Sequence, residues 1–191
     1  IAKRLVDFVM AILGKLPGAL LVTNIGTNAL FGAISGSASA AAAAVGSMIR
    51  DGADEQGYDP AVTAATNAAS SCSGLLIPPS NALITYSLAS GGTSVAALFM
   101  AGYIPGIIWA LCCCVVGVLL AVKLGYKGTP GKFDWKNLGF CTLRALPSLS
   151  LIIVVIGGII GGVFSATEGS AIAVVYALIL AFCYRSINLK S

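Results

Sequence analysis

The sequence has 191 residues, of which 58% are hydrophobic and 9% charged, with a net charge of +4 and a mean hydropathy of +0.95. A water-soluble domain of this length carries more charge on its surface, so a soluble helical core is a poor reading and an integral membrane protein is expected. Six cysteines and no histidine exclude a Ser–His dyad within these residues, and there is no phosphate-binding G-x-x-x-x-G-K-[ST] loop, so neither an enzyme nor an ATP motor is expected.

Residues 1–18 read as an amphipathic surface helix. Lys3, Arg4, Asp7 and Lys15 alternate with apolar residues, and Pro17-Gly18 ends the run. Residues 19–49 read as a re-entrant helical hairpin: two arms of about 12–15 residues, too short for a bilayer of ~30 Å, flank Ser35-Gly36-Ser37. Arg50–Pro60 is expected to be a polar turn that holds Asp51, Asp54 and Glu55, with Asp59-Pro60 starting the next helix.

Residues 60–90 read as a broken transmembrane helix. Ser70, Ser71, Gly74, Pro78, Pro79 and Ser80 interrupt two apolar arms. A connector with a small helix over 91–99 leads to a transmembrane helix over 100–122. A basic loop follows over 123–144, then two further transmembrane helices over 145–184. Lys123, Lys127, Lys132, Lys136 and Arg144 mark that loop as cytoplasmic. Counting crossings outward then puts Arg185 and Lys190, the acidic turn, and Lys3, Arg4 and Lys15 on the same side.

The break raises a question of chemistry. Two adjacent prolines remove two backbone donors and free carbonyl oxygens in a medium without water. A cation satisfies such oxygens, and broken helices near the membrane midplane build ion and anion sites in many secondary transporters. Ser35–Ser37 and Ser70–Ser80 would surround one ion if they approach each other. The alternative is a proline kink packed between helices, with serines bonding backbone carbonyls.

Other polar residues have structural readings. Asn24 and Asn28, four apart, are expected to hydrogen-bond between helices. Glu168 is either a functional acid within the membrane or, with Ser165, a capping box. Tyr126 and Trp135 are expected as interfacial anchors. Cys112, Cys113 and Cys114 are consecutive and face different sides of a helix, so they form no metal site together. With Cys72, Cys141 and Cys183 they read as small apolar residues.

The runs ISGSASAAAAAVGS (Ile34–Ser47), GYDPAVTAATNAASS (Gly57–Ser71), IPPS (Ile77–Ser80) and LFMAGYIPG (Leu98–Gly106) resemble the large membrane subunit of tripartite ATP-independent periplasmic (TRAP) transporters. RALPSL (Arg144–Leu149) and GGVFSATEGSAIAVVYAL (Gly161–Leu178) agree, in collinear order over nearly the whole chain. The resemblance implies an elevator-type carrier of two inverted repeats, of which this chain holds the first as an internal piece. It implies Na⁺-coupled import of small organic acids of the dicarboxylate, keto acid or sialic acid type. The implied partners are a periplasmic binding protein and a small membrane subunit, and the implied place is the bacterial inner membrane, crossed several times.

By position, the resemblance assigns Na⁺ binding to Ser35, Gly36, Ser37, Ser70, Ser71 and Gly74. It makes Ser37, Pro78, Pro79 and Ser80 substrate-facing. It implies no cofactor and no transition metal, and no nucleic acid as partner. The chain departs from the family pattern at Val22 (often His), Ala41 (often Asp), Leu75 (often Pro) and Ala166 (often Pro), while the Ser-Gly-Ser tip and the proline pair are unchanged. The alternative function is a non-transporting membrane scaffold that assembles partners through Ala/Gly-rich faces. A passive channel is a third.

Overall fold

The computed structural model describes residues 2–128 and 135–183, all helices and connections. Lys132, Arg185 and Lys190, which entered the expectations above, lie outside the described residues.

The first helix, α1 (Ala2–Leu13), buries Leu5 and Val9 against its neighbours α2 (Ala19–Ser35) and α8 (Trp135–Ile160). Gly26 of α2 makes this crossing close: a Cβ there would lie 2.7 Å from Val9 Cγ1. Helix α2 is the centre of the bundle, with α1, α3 (Ala38–Glu55), α4 (Pro60–Ser71), α5 (Ser73–Leu76) and α7 (Val95–Leu124) all packed on it. Its Thr23, Asn24, Thr27 and Asn28 are therefore fully buried.

The hairpin arms are longer than the sequence implied. They have 17 and 18 residues, roughly 26 Å each at 1.5 Å per residue, so shortness alone does not make them re-entrant. Arg50–Glu55 is not a turn but the last turns of α3. The Ala-rich arm has already met the cost of nucleation, and each further residue adds a hydrogen bond cheaply. The turn contracts to Gln56–Asp59, where Asp59 Oδ1 caps α4 by accepting from Ala61 N at 2.8 Å.

The broken helix does break. Helix α4 ends at Ser71, α5 adds one turn, Ile77–Ser80 is non-helical around a cis Pro78–Pro79 bond, and α6 (Asn81–Ala89) resumes. Ser80 Oγ caps α6 by accepting from Leu83 N at 3.4 Å and donates to Leu75 O at 2.6 Å.

Two long apolar helices follow. The expected 91–99 connector shortens, because Ser94 caps α7 at Val95. The expected 123–144 loop shortens too, because α8 starts at Trp135 and takes in Lys136 and Arg144. Helices α7 and α8 are long and apolar enough to cross a bilayer. Helix α7 leaves Ile104, Leu111, Val115, Leu119 and Val122 exposed along its length, a surface that lipid or another apolar partner covers in a membrane protein. Helix α9 (Ala166–Cys183) opens with the capping box: Glu168 N donates to Ser165 Oγ at 3.3 Å, and Ser165 N donates to Glu168 Oε2 at 2.7 Å. That supports the structural reading of Glu168.

One core lies at the end of the hairpin opposite the tip, with Leu20, Leu21, Val45, Ile49, Ala53, Tyr58 and Ala121. A second joins α7 and α8 through Phe99, Leu151, Val155 and Ile159. Tyr126 is not a free anchor. Its ring stacks on Tyr58 with centroids 4.1 Å apart, its hydroxyl accepts from Asp59 N at 2.8 Å, and its carbonyl accepts from Gly18 N at 3.2 Å. Burial pushes the Tyr58 phenol above its ordinary range. Trp135 opens α8 and is exposed.

Candidate functional site

The hairpin tip forms because Gly36 takes the left-handed conformation, φ 63°, that ends α2, and Ser37 then caps α3. Ala40 N donates to Ser37 Oγ at 3.4 Å, Ser37 N donates to Ser35 Oγ at 3.4 Å, and Ser35 Oγ donates to Ser37 O at 3.3 Å. The tip oxygens are thus crowded into one short turn.

This tip lies directly on the break. Asn81 N, the first amide of α6, donates to Gly36 O at 3.2 Å. A Cβ on Gly36 would lie 2.9 Å from Pro79 O. One turn back, Gly32 and Gly74 touch backbone to backbone: a Cβ on Gly32 would overlap the Gly74 Cα, and one on Gly74 would lie 2.9 Å from the Gly32 Cα and 3.5 Å from Ser37 O. Two elements separated by about forty residues therefore pack without side chains between them, which only glycine permits.

The break is seated on α7 in the same way. A Cβ on Gly102 would come within 2.6 Å of Leu76 O, and one on Gly106 within 2.6 Å of Ile77 Cγ1. This is the small-xxx-small device of membrane helix packing. Pro78 and Ser80 are buried in consequence, and Pro79 is half-buried.

The sequence-expected residues divide into two groups. Gly36, Ser37, Gly74 and Pro79 meet at the tip–break contact, Ser35 lies in the same tip turn, and Pro78 and Ser80 lie buried in the break. Ser70 belongs instead to a cluster deeper in the bundle: Asn28 Nδ2 donates to Asn24 Oδ1 at 2.8 Å and to Asn67 Oδ1 and Ser70 Oγ, each at 2.9 Å. Ser71 Oγ turns back to its own helix and donates to Ala68 O at 2.9 Å. Ser73, also buried, donates to Ser70 O at 2.6 Å.

Sequence reasoning missed Gly32, Asn67 and Gly102. Gly32 and Gly102 had a readable signal, each lying four residues before another glycine. Asn67 had none, since its partners lie some forty residues away. Asn24 and Asn28 do hydrogen-bond to each other, and Asn28 also bonds α4, as expected of interhelical residues.

Oxygens gathered in a turn and freed at a break can coordinate a hard cation. Among the described residues no group of three or more His, Cys, Asp or Glu forms a metal cluster, so oxygen ligation here rests on neutral atoms.

The model of the family described as "Tripartite ATP-independent periplasmic transporter, DctM component" matches residues 1–191. The chain is 54% identical over 190 residues to the uncharacterized protein YgiK of Salmonella typhimurium, covering 100% of this chain and 43% of YgiK. It is 38% identical to the ectoine TRAP transporter large permease protein TeaC of Halomonas elongata, covering 99% of this chain and 44% of TeaC. It is 36% identical to the C4-dicarboxylate TRAP transporter large permease protein DctM of Pseudomonas aeruginosa, covering 100% of this chain and 44% of that protein. The chain thus spans less than half the length of these relatives.

Proposed function

Because the chain belongs to the DctM component family of tripartite ATP-independent periplasmic transporters, we propose that its subunit imports a small organic acid by secondary active transport, driven by the Na⁺ gradient. The observation that carries this reading is the contact of the hairpin tip with the break, sealed by Asn81 N donating to Gly36 O and by the Gly32–Gly74 approach. Family relatives named for ectoine and for C4-dicarboxylates support a small carboxylate as substrate.

In this reading Na⁺ binds between the tip oxygens of Ser35, Gly36 and Ser37 and the broken segment at Gly74, while Ser70 and Ser71, held by Asn28 and Ala68, support the segment from behind. Ion binding fixes the tip, and a carboxylate then binds beside Ser37, Pro78, Pro79 and Ser80. A periplasmic binding protein delivers the substrate, and a small membrane subunit supports the large one. The hairpin is re-entrant, and hairpin and broken helix move as one unit, as an elevator would, in the bacterial inner membrane. Each charge that crosses 100 mV contributes about 2.3 kcal/mol. The glycine contacts support this unit, because backbones packed that closely do not slide freely past each other.

The test is uptake into proteoliposomes by the full-length subunit with its small partner and binding protein, using a panel of labelled organic acids. Sodium-dependent uptake is expected, with a poorer apparent sodium affinity in Ser37→Ala. Uptake that is unaltered at zero sodium sinks the coupling. Absence of uptake of any acid by a folded, assembled complex favours the scaffold reading.

A further inference from the structure

A groove lies on the outer side of the bundle, away from the tip. It runs between α4 and α7, is half-open, and holds about 580 Å³. Ala61, Ala65 and Ala69 of α4 form one wall, and Trp109, Val116 and Leu120 of α7 form the other.

The groove exists because α7 settles on α2 rather than on α4. Gly117 permits this: a Cβ there would lie 3.0 Å from Ile25 Cδ1. Helix α4 offers only alanine at every fourth position of this face, and single methyl groups do not fill the space to α7. Trp109 closes one end, with Nε1 donating to Ala69 O at 2.9 Å. From Trp109 to Leu120 the groove is roughly 16 Å long. Spread over that length, its volume gives a section of roughly 35 Å². An α-helix is about 10 Å across and does not enter such a slot, whereas an extended hydrocarbon chain does.

The other end is charged. Lys123 lies seven residues past Val116 and eleven past Cys112, spacings that return to one helix face. It therefore stands on the line of the groove, one turn beyond Leu120. Lys127 follows Gly125, whose left-handed φ of 76° ends α7. Both lysines are exposed, and among the described residues neither makes an ion pair. The carboxylate of Asp59, at the same end of α4, is engaged as the cap of Ala61 N.

These features select the occupant. Helix α7 is long and apolar enough to cross a bilayer and leaves apolar side chains exposed along its length, so the groove opens towards acyl chains. Lysines at the end of such a helix reach the headgroup level. A neutral hydrocarbon would leave them unmatched, and a soluble anion would leave the groove empty. A molecule with an extended apolar chain and an anionic head matches both ends at once. We propose that the α4–α7 groove holds one acyl chain of an anionic phospholipid, with its phosphate at Lys123 and Lys127. This site does not depend on sodium or on the transport reading.

The experiment is native mass spectrometry of the full-length subunit released from nanodiscs that hold equal amounts of phosphatidylglycerol and phosphatidylcholine. Retained phosphatidylglycerol is expected, with phosphatidylcholine weaker by about fivefold or more. Lys123→Gln should lower retention of phosphatidylglycerol by about fivefold. Ala65→Leu extends a side chain into the groove from an exposed position and should remove this lipid whatever its headgroup. Ile104→Ala, exposed elsewhere on α7, should leave retention unchanged. Thermal unfolding checks that each variant keeps the fold.

Three results overturn the inference. One is no retained lipid on folded wild type, meaning that the rest of the subunit fills the groove. Another is retention that ignores Ala65→Leu, which would place the lipid elsewhere. The third is retention equal for the two headgroups or unchanged in Lys123→Gln, which would leave only ordinary boundary lipid. None of these bears on sodium-dependent uptake, so the two readings fail separately.

Discussion

Asn28 donates to Ser70 Oγ at 2.9 Å, and the same Nδ2 reaches Asn24 and Asn67. One amide thereby ties the first hairpin arm to the last turn of α4, just before the break. A single interhelical hydrogen bond in a membrane protein contributes on average about 0.6 kcal/mol. The two hydrogens of Asn28 Nδ2 are shared among three oxygens, of which those of Asn24 and Ser70 are buried, so its removal should cost more than one average bond. Asn28→Leu is expected to cost about 1–3 kcal/mol, read by denaturant unfolding of the full-length subunit in detergent. A cost no larger than that of one average bond would mean that this amide is not a hub.

The Gly32–Gly74 approach makes a sharper demand. Alanine at either position places a methyl group where a backbone already lies, so the tip must lift off the break. Gly32→Ala and Gly74→Ala are each expected to cost about 1–3 kcal/mol and to weaken sodium-dependent uptake. Gly139 is a control: it is helical, and a Cβ there meets nothing within 4 Å. Gly139→Ala should be neutral, or stabilising by up to about 1 kcal/mol from helix propensity. If both classes behave alike in uptake, the close contact does not matter for transport.

The sequence disclosed the elements that break local rules. The proline pair, the Ser-Gly-Ser tip and the Ser165/Glu168 cap are local, because each follows from residues within one or two turns. It did not disclose partners across distance. Asn67 looks like any polar residue on α4 until the fold brings Asn28 beside it. It also placed helix ends wrongly where polar composition suggested a turn: Arg50–Glu55 stays helical because helix extension is cooperative and its charges face solvent.

Tyr126 tests the end of the bundle opposite the tip. Its ring and hydroxyl hold the Gln56–Asp59 turn and its carbonyl holds Gly18, and the two kinds of variant separate the ring from the hydroxyl. Tyr126→Phe keeps the stack on Tyr58 and leaves Asp59 N without its acceptor, a loss of about 0.5–1.5 kcal/mol. Tyr126→Ala also removes the stack, worth about 0.5–1.5 kcal/mol beyond its buried area, and should be clearly the worse of the two in thermal unfolding. Equal effects would assign the whole contribution to the hydroxyl.

The α9 cap separates the two readings of Glu168. If the residue only closes a capping box, what matters is an acceptor oxygen at that position for Ser165 N, 2.7 Å away. Glu168→Gln retains such an oxygen and should leave uptake and sodium affinity unchanged. Ser165→Ala removes the N-cap acceptor of Glu168 N and should destabilise by about 0.5–2 kcal/mol, while uptake per folded transporter persists. If Glu168 instead carried charge for transport, the order would invert: Glu168→Gln would abolish uptake in a stable protein, and Ser165→Ala would be mild. Measuring stability and uptake on the same two variants therefore decides between a structural and a functional acid.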